Sequence, residues 1–396
     1  MKVAVPAEST PGERRVATLP EVVPSLTRAG LEVVVQSGAG LHSLAPDAAY
    51  RDAGAEVVAA IAASTVDVLL HVRPLHPRVV TRLRPGAITI GFCAPSTEFG
   101  TVRALRDGRI TAFAMELVPR ISRAQSMDAL TSQALVAGYR GVLEGAMRLP
   151  RFLPLFMTAA GTIPPAKVLV LGAGVAGLQS IATAKRLGAK VSAYDVRTTS
   201  AEEVRSMGGE FLDLGLEAIE GAGGYAREQS EDRAARQQQA LAPFIAASDL
   251  VVTTAAVPGR RAPVLVTAGM VRAMAPGAVI VDLAAESGGN VEGSVAGQDV
   301  VISVEGGQVL LVGMKDAAST MPADASRLYA RNVANLLLLM TKDGAVVPDL
   351  DDEVVAGTCL THDGAVLHAQ TSESIGGSTG APVAAPPSSP PGGGDA

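Results

Sequence analysis

A glycine-rich turn near the middle of the chain constrains its fold more than any other feature. Lys167-Val-Leu-Val-Leu171 runs straight into Gly172-Ala-Gly-Val-Ala-Gly177, and a helical pattern then extends from Val175 to Leu187 and ends at Gly188. In a strand–turn–helix of this kind the first glycine permits the tight turn and the second lets backbone approach a pyrophosphate. The third lets the helix pack closely on the strand. Those roles fall to Gly172, Gly174 and Gly177, with Ala173 and Val175 completing the loop. The next apolar run ends at Tyr194-Asp195, eighteen residues beyond Gly177. A carboxylate there accepts hydrogen bonds from the adenosine ribose and repels a 2′-phosphate, which selects NAD over NADP. Arg197 pulls the other way, since a guanidinium can meet a 2′-phosphate; Asp195, Val196 and Arg197 are the residues expected at the ribose.

The rest of the chain supports a parallel α/β fold. Its 396 residues exceed what one hydrophobic core usually holds, so two domains are expected. Apolar residues make up 48% but aromatics only 3%, so the apolarity lies in short aliphatic runs suited to strands buried on both faces. The densest run, 336–340, is too short to span a bilayer and reads as the buried face of a helix. No signal peptide is visible at the start. Two cysteines, Cys93 and Cys359, form no spaced framework and suggest a reducing compartment. The net charge of −6, with Lys and Arg scattered, argues against a nucleic-acid partner. No metal site is expected.

Strand-like runs at 3–5, 31–35, 66–72, 87–92 and 110–115 alternate with helical stretches at 19–29, 47–53, 77–83 and 98–107. Such βα repeats predict a doubly wound parallel sheet. From Ser126 to about Met157 the pattern is helical, with Gly138, Gly141 and Gly145 letting a neighbour approach; this reads as a crossing between domains. A second βα series has strands at 167–171, 190–194, 250–255 and 279–283, then 300–304 and 308–312. Ser200-Ala-Glu-Glu203 has the form of a capping box. A helix from about Asp324 to Met340 returns the chain to the first domain, and Asp363-Gly364 predicts a tight hairpin. The expected division is an outer domain of residues 1–130 plus 322–370, a Rossmann domain of 131–321 with nucleotide in the cleft between them, and a disordered tail of 371–396. The 215–243 region is either a mobile functional loop or a surface insertion.

A dehydrogenase acting on an alcohol, amine or hydroxy acid moves a proton as well as a hydride, and usually places a His or Lys near the nicotinamide. None of His42, His71, His76, His362 and His368 has an evident carboxylate orienter. Hydride exchange between two nicotinamides needs alignment and dryness instead.

The 119–141 segment, PRISRAQSMDALTSQALVAGYRG, resembles the NAD(H)-binding component, domain I, of proton-translocating NAD(P) transhydrogenase. The resemblance extends over nearly all of 1–370 and includes GERRVA, TAAGTIPPAKVLVLGAGVAGLQSIATAKRLGA, AGGYA, PGRRAPVLVT, DLAAESGGN and GTCLTHDGAV. It implies a polar cluster of Arg120, Gln125, Asp128 and Thr131 around the nicotinamide, with Gln125 reaching toward the second nucleotide. Ile121, Ser122, Ser126 and Met127 would flank it. Thr131 stands where the family most often has Ser. The resemblance also puts Gly224, Tyr225 and Gln237 against the nucleotide, Tyr225 in a closing loop, and Ala256 on the adenosine side. Lys315-Asp316 and Ser319-Thr320 depart from the family's usual Thr-Asn and Ser-Arg pairs. The resemblance further implies a Si/Re-specific, proton-translocating enzyme that regenerates NADPH. In it, NAD(H) sits on this chain and NADP(H) on a partner subunit, and membrane-spanning subunits move the proton. A homodimer in the cytoplasm, peripheral to the inner membrane, is implied too. The absence of an apolar span after the tail fits a split-subunit arrangement.

Alanine dehydrogenase looks similar over both domains and is the main rival. Its chemistry calls for a Lys and a His in the first domain, where this chain reads LHVRP (70–74) and GFCAP (91–95). Arg15 is shared by both families, and Glu286 stands near the position of the dehydrogenase's acid. A nucleotide sensor without chemistry is a third reading, which the Arg120–Asp128 cluster disfavours.

Overall fold

The computed structural model describes residues 1–216, 231–256 and 259–376. Strands β1 (Lys2–Val5), β2 (Glu32–Gln36), β3 (Glu56–Val58), β4 (Val68–Leu70), β5 (Ile88–Gly91) and β6 (Thr111–Ala114) belong to a first sheet. A short hairpin, β7 (Phe156–Thr158) and β8 (Gly161–Ile163), stands apart. A second sheet contains β9 (Lys167–Leu171), β10 (Lys190–Tyr194), β11 (Glu210–Phe211), β12 (Leu250–Thr253), β13 (Val279–Asp282), β14 (Asp299–Val304) and β15 (Gly307–Gly313). Two small hairpins follow, β16 (Thr341–Lys342) with β17 (Ala345–Val346) and β18 (Cys359–His362) with β19 (Ala365–Val366).

The first sheet runs β3-β2-β1-β4-β5-β6 in parallel, and β18-β19 extends its β6 edge antiparallel. The second runs β11-β10-β9-β12-β13-β15-β14, parallel except for the last strand. Both are covered on two faces. Val3 and Val5 enter one core and Ala4 the opposite one; Val168 and Val170 likewise oppose Leu169 and Leu171. That explains the continuous apolar runs. The strand order reverses beside β9, whose neighbours are β10 and β12, so a crevice opens beyond the carboxyl ends of these strands.

The Pro322–Leu339 helix returns the chain to the first core, burying Tyr329, Val333, Leu336 and Leu337 there. Among the described residues, no helix is long and apolar enough to cross a membrane. The Asp363-Gly364 hairpin forms, both residues having positive φ, +45° and +81°.

Three expectations need correction. The crossing helix runs from Ala129 to Arg148, not to Met157. Pro150 forces Leu149 into extended backbone, and β7-β8 follows. Ser200 lies inside the Ser200–Ser206 helix behind an N-cap at Thr199, and its hydroxyl is buried without a partner, so there is no capping box. The tail starts later than 371: Ala369–Ser374 is helical, His368 Nδ1 lies 2.7 Å from Thr371 Oγ1, and Ile375 is buried. Residues 377–396 lie outside the described residues.

Candidate nucleotide site

At the end of β9, Gly172 has φ +100°, and a side chain there would press on Thr254 Oγ1 at 2.7 Å. Gly177 packs on the Gly172 carbonyl, which any Cβ would overlap. At Gly174 the reverse holds, since an added Cβ would meet nothing within 4 Å. The loop is therefore closed on its protein side and open outward, where the first-turn amides of the Val175–Arg186 helix need acceptors. A pyrophosphate fits that cradle.

Asp195 follows β10 and reaches back to the loop, accepting from Ala173 N at 2.7 Å. Its carboxylate also accepts from Arg197 N and Nε at 2.9 Å each and from Nη2 at 3.1 Å. The two residues that seemed to compete for the ribose end thus form one unit, with Arg197 folded over Asp195. Val196 lies half-buried between them. Ala256 is exposed just beyond β12, across the crevice. Gln237 is buried on the Glu231–Ala246 helix, 3.5 Å from Arg233 Nη1. Gly224 and Tyr225 lie outside the described residues.

The second half of the site is the start of the crossing helix. Asp128 is its N-cap, accepting from Thr131 N at 2.9 Å and from Thr131 Oγ1 at 2.6 Å. The preceding turn, Ser122–Met127, is pinned from two sides. Arg123 makes a two-pronged ion pair with Asp352 at 2.6 and 2.9 Å, and the Asn332 and Asn335 amides donate to Ser126 O at 2.9 and 3.0 Å. Ile121 and Met127 anchor the turn in the first core, while Arg120, Ser122, Gln125 and Ser126 keep exposed surface. An amide, a guanidinium and hydroxyls are thereby presented on a fixed backbone.

The halves are joined by contacts that sequence alone left without a partner. Gly138 lies on the Ala176 carbonyl of the glycine-loop helix, and Ser180 Oγ donates to Gly138 O at 3.0 Å. Gly145 faces Leu250 of β12 and Val281 of β13. Thr254 was also missed: its hydroxyl donates to Gly172 O at 3.0 Å and braces the loop from the neighbouring strand. The pinning residues Arg123, Asn332 and Asn335 carried no local signal.

Between the sheets lies a cavity of about 1320 Å³ lined by Arg15, Arg73, Glu116, Arg261, Glu286 and His368, among others; it reaches Leu130 and Gly259. Two of its arginines are engaged with acids of this chain. Arg15 donates to Glu13 at 2.8 and 2.7 Å and to Gln133 Oε1 at 2.8 Å. Arg73 donates to Glu13 Oε2 at 2.7 Å and pairs with Asp316. Burial raises the Glu13 carboxyl, but the Arg15 hydrogen bonds and charge outweigh it and hold the pKa at about 2. Burial raises Glu8 and Glu116 to about 7, against the backbone amides each accepts. His71 is buried, with Nδ1 2.7 Å from Arg73 O, and desolvation lowers its pKa to about 4, so it is neutral. Among the described residues no cluster suited to a metal ion occurs.

Two family models match: the alanine dehydrogenase/PNT N-terminal domain over residues 4–137 and the C-terminal domain over 141–369. An NAD(P) transhydrogenase alpha subunit of Rhodospirillum rubrum is 48% identical over 380 residues, covering 93% of this chain and 98% of that protein. Alanine dehydrogenase of Mycobacterium tuberculosis is 34% identical, covering 74% and 75%. The crystal structure of transhydrogenase from Sinorhizobium meliloti superposes with TM-score 0.81 at 44% identity, covering 93% of this chain and all of that one.

Proposed function

This chain belongs to the alanine dehydrogenase/PNT family, among its NAD(P) transhydrogenase alpha subunits, and we propose that it holds NAD(H) for direct hydride exchange with NADP(H) on a partner subunit. The observation that carries this reading is the close packing, through Gly138, of an outward-open glycine loop against the helix that begins at the exposed polar turn of 120–128. The nucleotide supplies the hydride; the protein binds, orients and keeps dry. Gly172, Gly174, Gly177 and the helix amides would hold the pyrophosphate, and Asp195 the ribose. Arg120, Gln125 and the Asp128–Thr131 pair would fix the carboxamide and ring, Gln125 facing the second nucleotide. Fixed donors on pinned backbone supply alignment, which is what a reaction without substrate proton transfer requires.

Coupling to proton movement, attachment to membrane-spanning subunits at the cytoplasmic face of the inner membrane, and dimerisation of this chain complete the proposal. Support for the dimer is the exposed apolar group of Met147, Phe152, Leu155, Phe156 and Met157 around β7-β8. The amino-acid dehydrogenase reading is disfavoured by the cavity, whose Arg15 and Arg73 are already bound to carboxylates of this chain.

Reconstitution with an NADP(H)-binding subunit tests the reading by following exchange between the two nucleotides. Gln125→Asn should slow transfer at least about tenfold while leaving NADH affinity nearly unchanged. Equal losses in rate and affinity, or robust turnover of pyruvate and ammonium by the intact chain, would sink it. Light scattering of this chain alone should give twice the chain mass.

A further inference from the structure

The chain passes between its two units twice, out through the Ala129–Arg148 helix and back through the segment before Pro322. One polar network ties both passages together. Glu286, just past β13 of the second sheet, accepts from Asp316 N at 2.8 Å. The Asp316 carboxylate pairs with Arg73, which follows β4 of the first sheet. Arg73 Nε donates to Glu13 at 2.7 Å, Glu13 holds Arg15, and Arg15 Nη1 donates to Gln133 on the outward helix at 2.8 Å. Gln133 Nε2 closes the circuit on Ala325 O of the return helix at 3.1 Å. Beside it the Ser319 hydroxyl accepts from Arg14 N at 2.7 Å and lies 2.8 Å from Glu13 Oε1.

Asp316 is the member of the network that Asn can replace with the same shape and backbone preference. It sits at φ +49° at the start of the Ala317–Thr320 turn, a conformation that Asp and Asn adopt more readily than other side chains. It contributes the carboxylate that the return segment sets on Arg73. A guanidinium can serve two carboxylates at once from a fixed plane, which an ammonium does less well. The Glu13 and Asp316 side chains are 0% and 9% exposed, so the pairing is weakly screened.

We propose that Asp316 is a positioning residue that, through Arg73, clasps the two units at the opening which sets the 120–131 segment and the cavity wall against the glycine loop. A distance measurement between the units stands without the nucleotide reading; a kinetic one rests on it. Adenosine and pyrophosphate would be held within the second unit alone, so loosening the clasp should disturb the nicotinamide end far more than overall affinity.

The full chain carries one dye on each unit, at exposed Arg51→Cys and Glu210→Cys; native Cys93 and Cys359 are buried. Asp316→Asn, which keeps shape and backbone preference, should broaden the interdye distance distribution and lower exchange at saturating nucleotides about tenfold. NADH affinity should move less than about threefold. Arg73→Met should do the same, and the double variant should be no worse than either single one. An Asp316→Asn distribution superimposable on wild type, additive effects in the double variant, or a changed distance with an unchanged rate would each overturn the proposal. Absence of hydride exchange by the unmodified chain reconstituted with an NADP(H)-binding subunit would instead defeat the functional reading, leaving the distance comparison to decide the clasp.

Discussion

At the scale of single residues, Asp195 has more than one task. Its carboxylate holds the Ala173 amide as well as Arg197, so it shapes the glycine loop as well as standing where the ribose is proposed to bind. Asp195→Ala should therefore weaken NADH binding by at least about tenfold, the scale of losing charge-assisted hydrogen bonds, and shrink the preference over NADPH. A fluorescence titration with both nucleotides measures this, and unchanged binding and preference would remove the ribose role. The tight turn at Gly172, the open face at Gly174, the close packing at Gly177 and the place of Asp195 after β10 were legible because they depend on short spacing along one βα unit. That Arg197 folds over Asp195 was not, since a sequence holds the charges but not the rotamer that joins them.

At the scale of elements, the crossing helix links fold to site. A methyl at Gly138 would overlap the Ala176 carbonyl, forcing the helix away from the glycine loop. Gly138→Ala should cost about 1–3 kcal/mol of stability and reduce NADH affinity as well. Thermal melting and titration of the same sample check both, and a variant with native melting and native affinity would show that the contact does not couple the halves. The long aliphatic strands were readable because burial on both faces leaves continuous apolar runs. β3, β7-β8 and β11 were not: each is only two or three residues, and Phe156–Thr158 and Gly161–Ile163 are exposed throughout. The Ser200 box failed because the right letters occur one position inside the helix rather than at its cap.

For the whole molecule, the groups raised by burial set the response to pH. Glu8 and Glu116 titrate near 7 in the fold and near 4.5 when unfolded, so the folded chain holds more protons between those values. Stability should fall as pH rises from about 4.5 to about 7 and level off above. Glu13, held near 2, acts oppositely and only between about 4.5 and 2. Melting temperatures of wild type and a Glu8→Gln/Glu116→Gln variant across about pH 5 to 8 test this. The wild type should lose stability as pH rises, while the variant should gain it up to about pH 6.5, because His71, held near 4 in the fold, acts oppositely to the two carboxyls; parallel curves would refute it. These carboxylates carried no sequence signal, because their environment comes from loops distant along the chain. The same long-range construction orders events during synthesis. The first sheet is completed by residues 359–366, and the Met1 ammonium donates to Gly344 O across nearly the whole chain. The second sheet needs only residues 167–313. During synthesis the glycine loop can therefore be in place while the first sheet still lacks its last strands, so the later half of the chain can fold before the earlier half is complete.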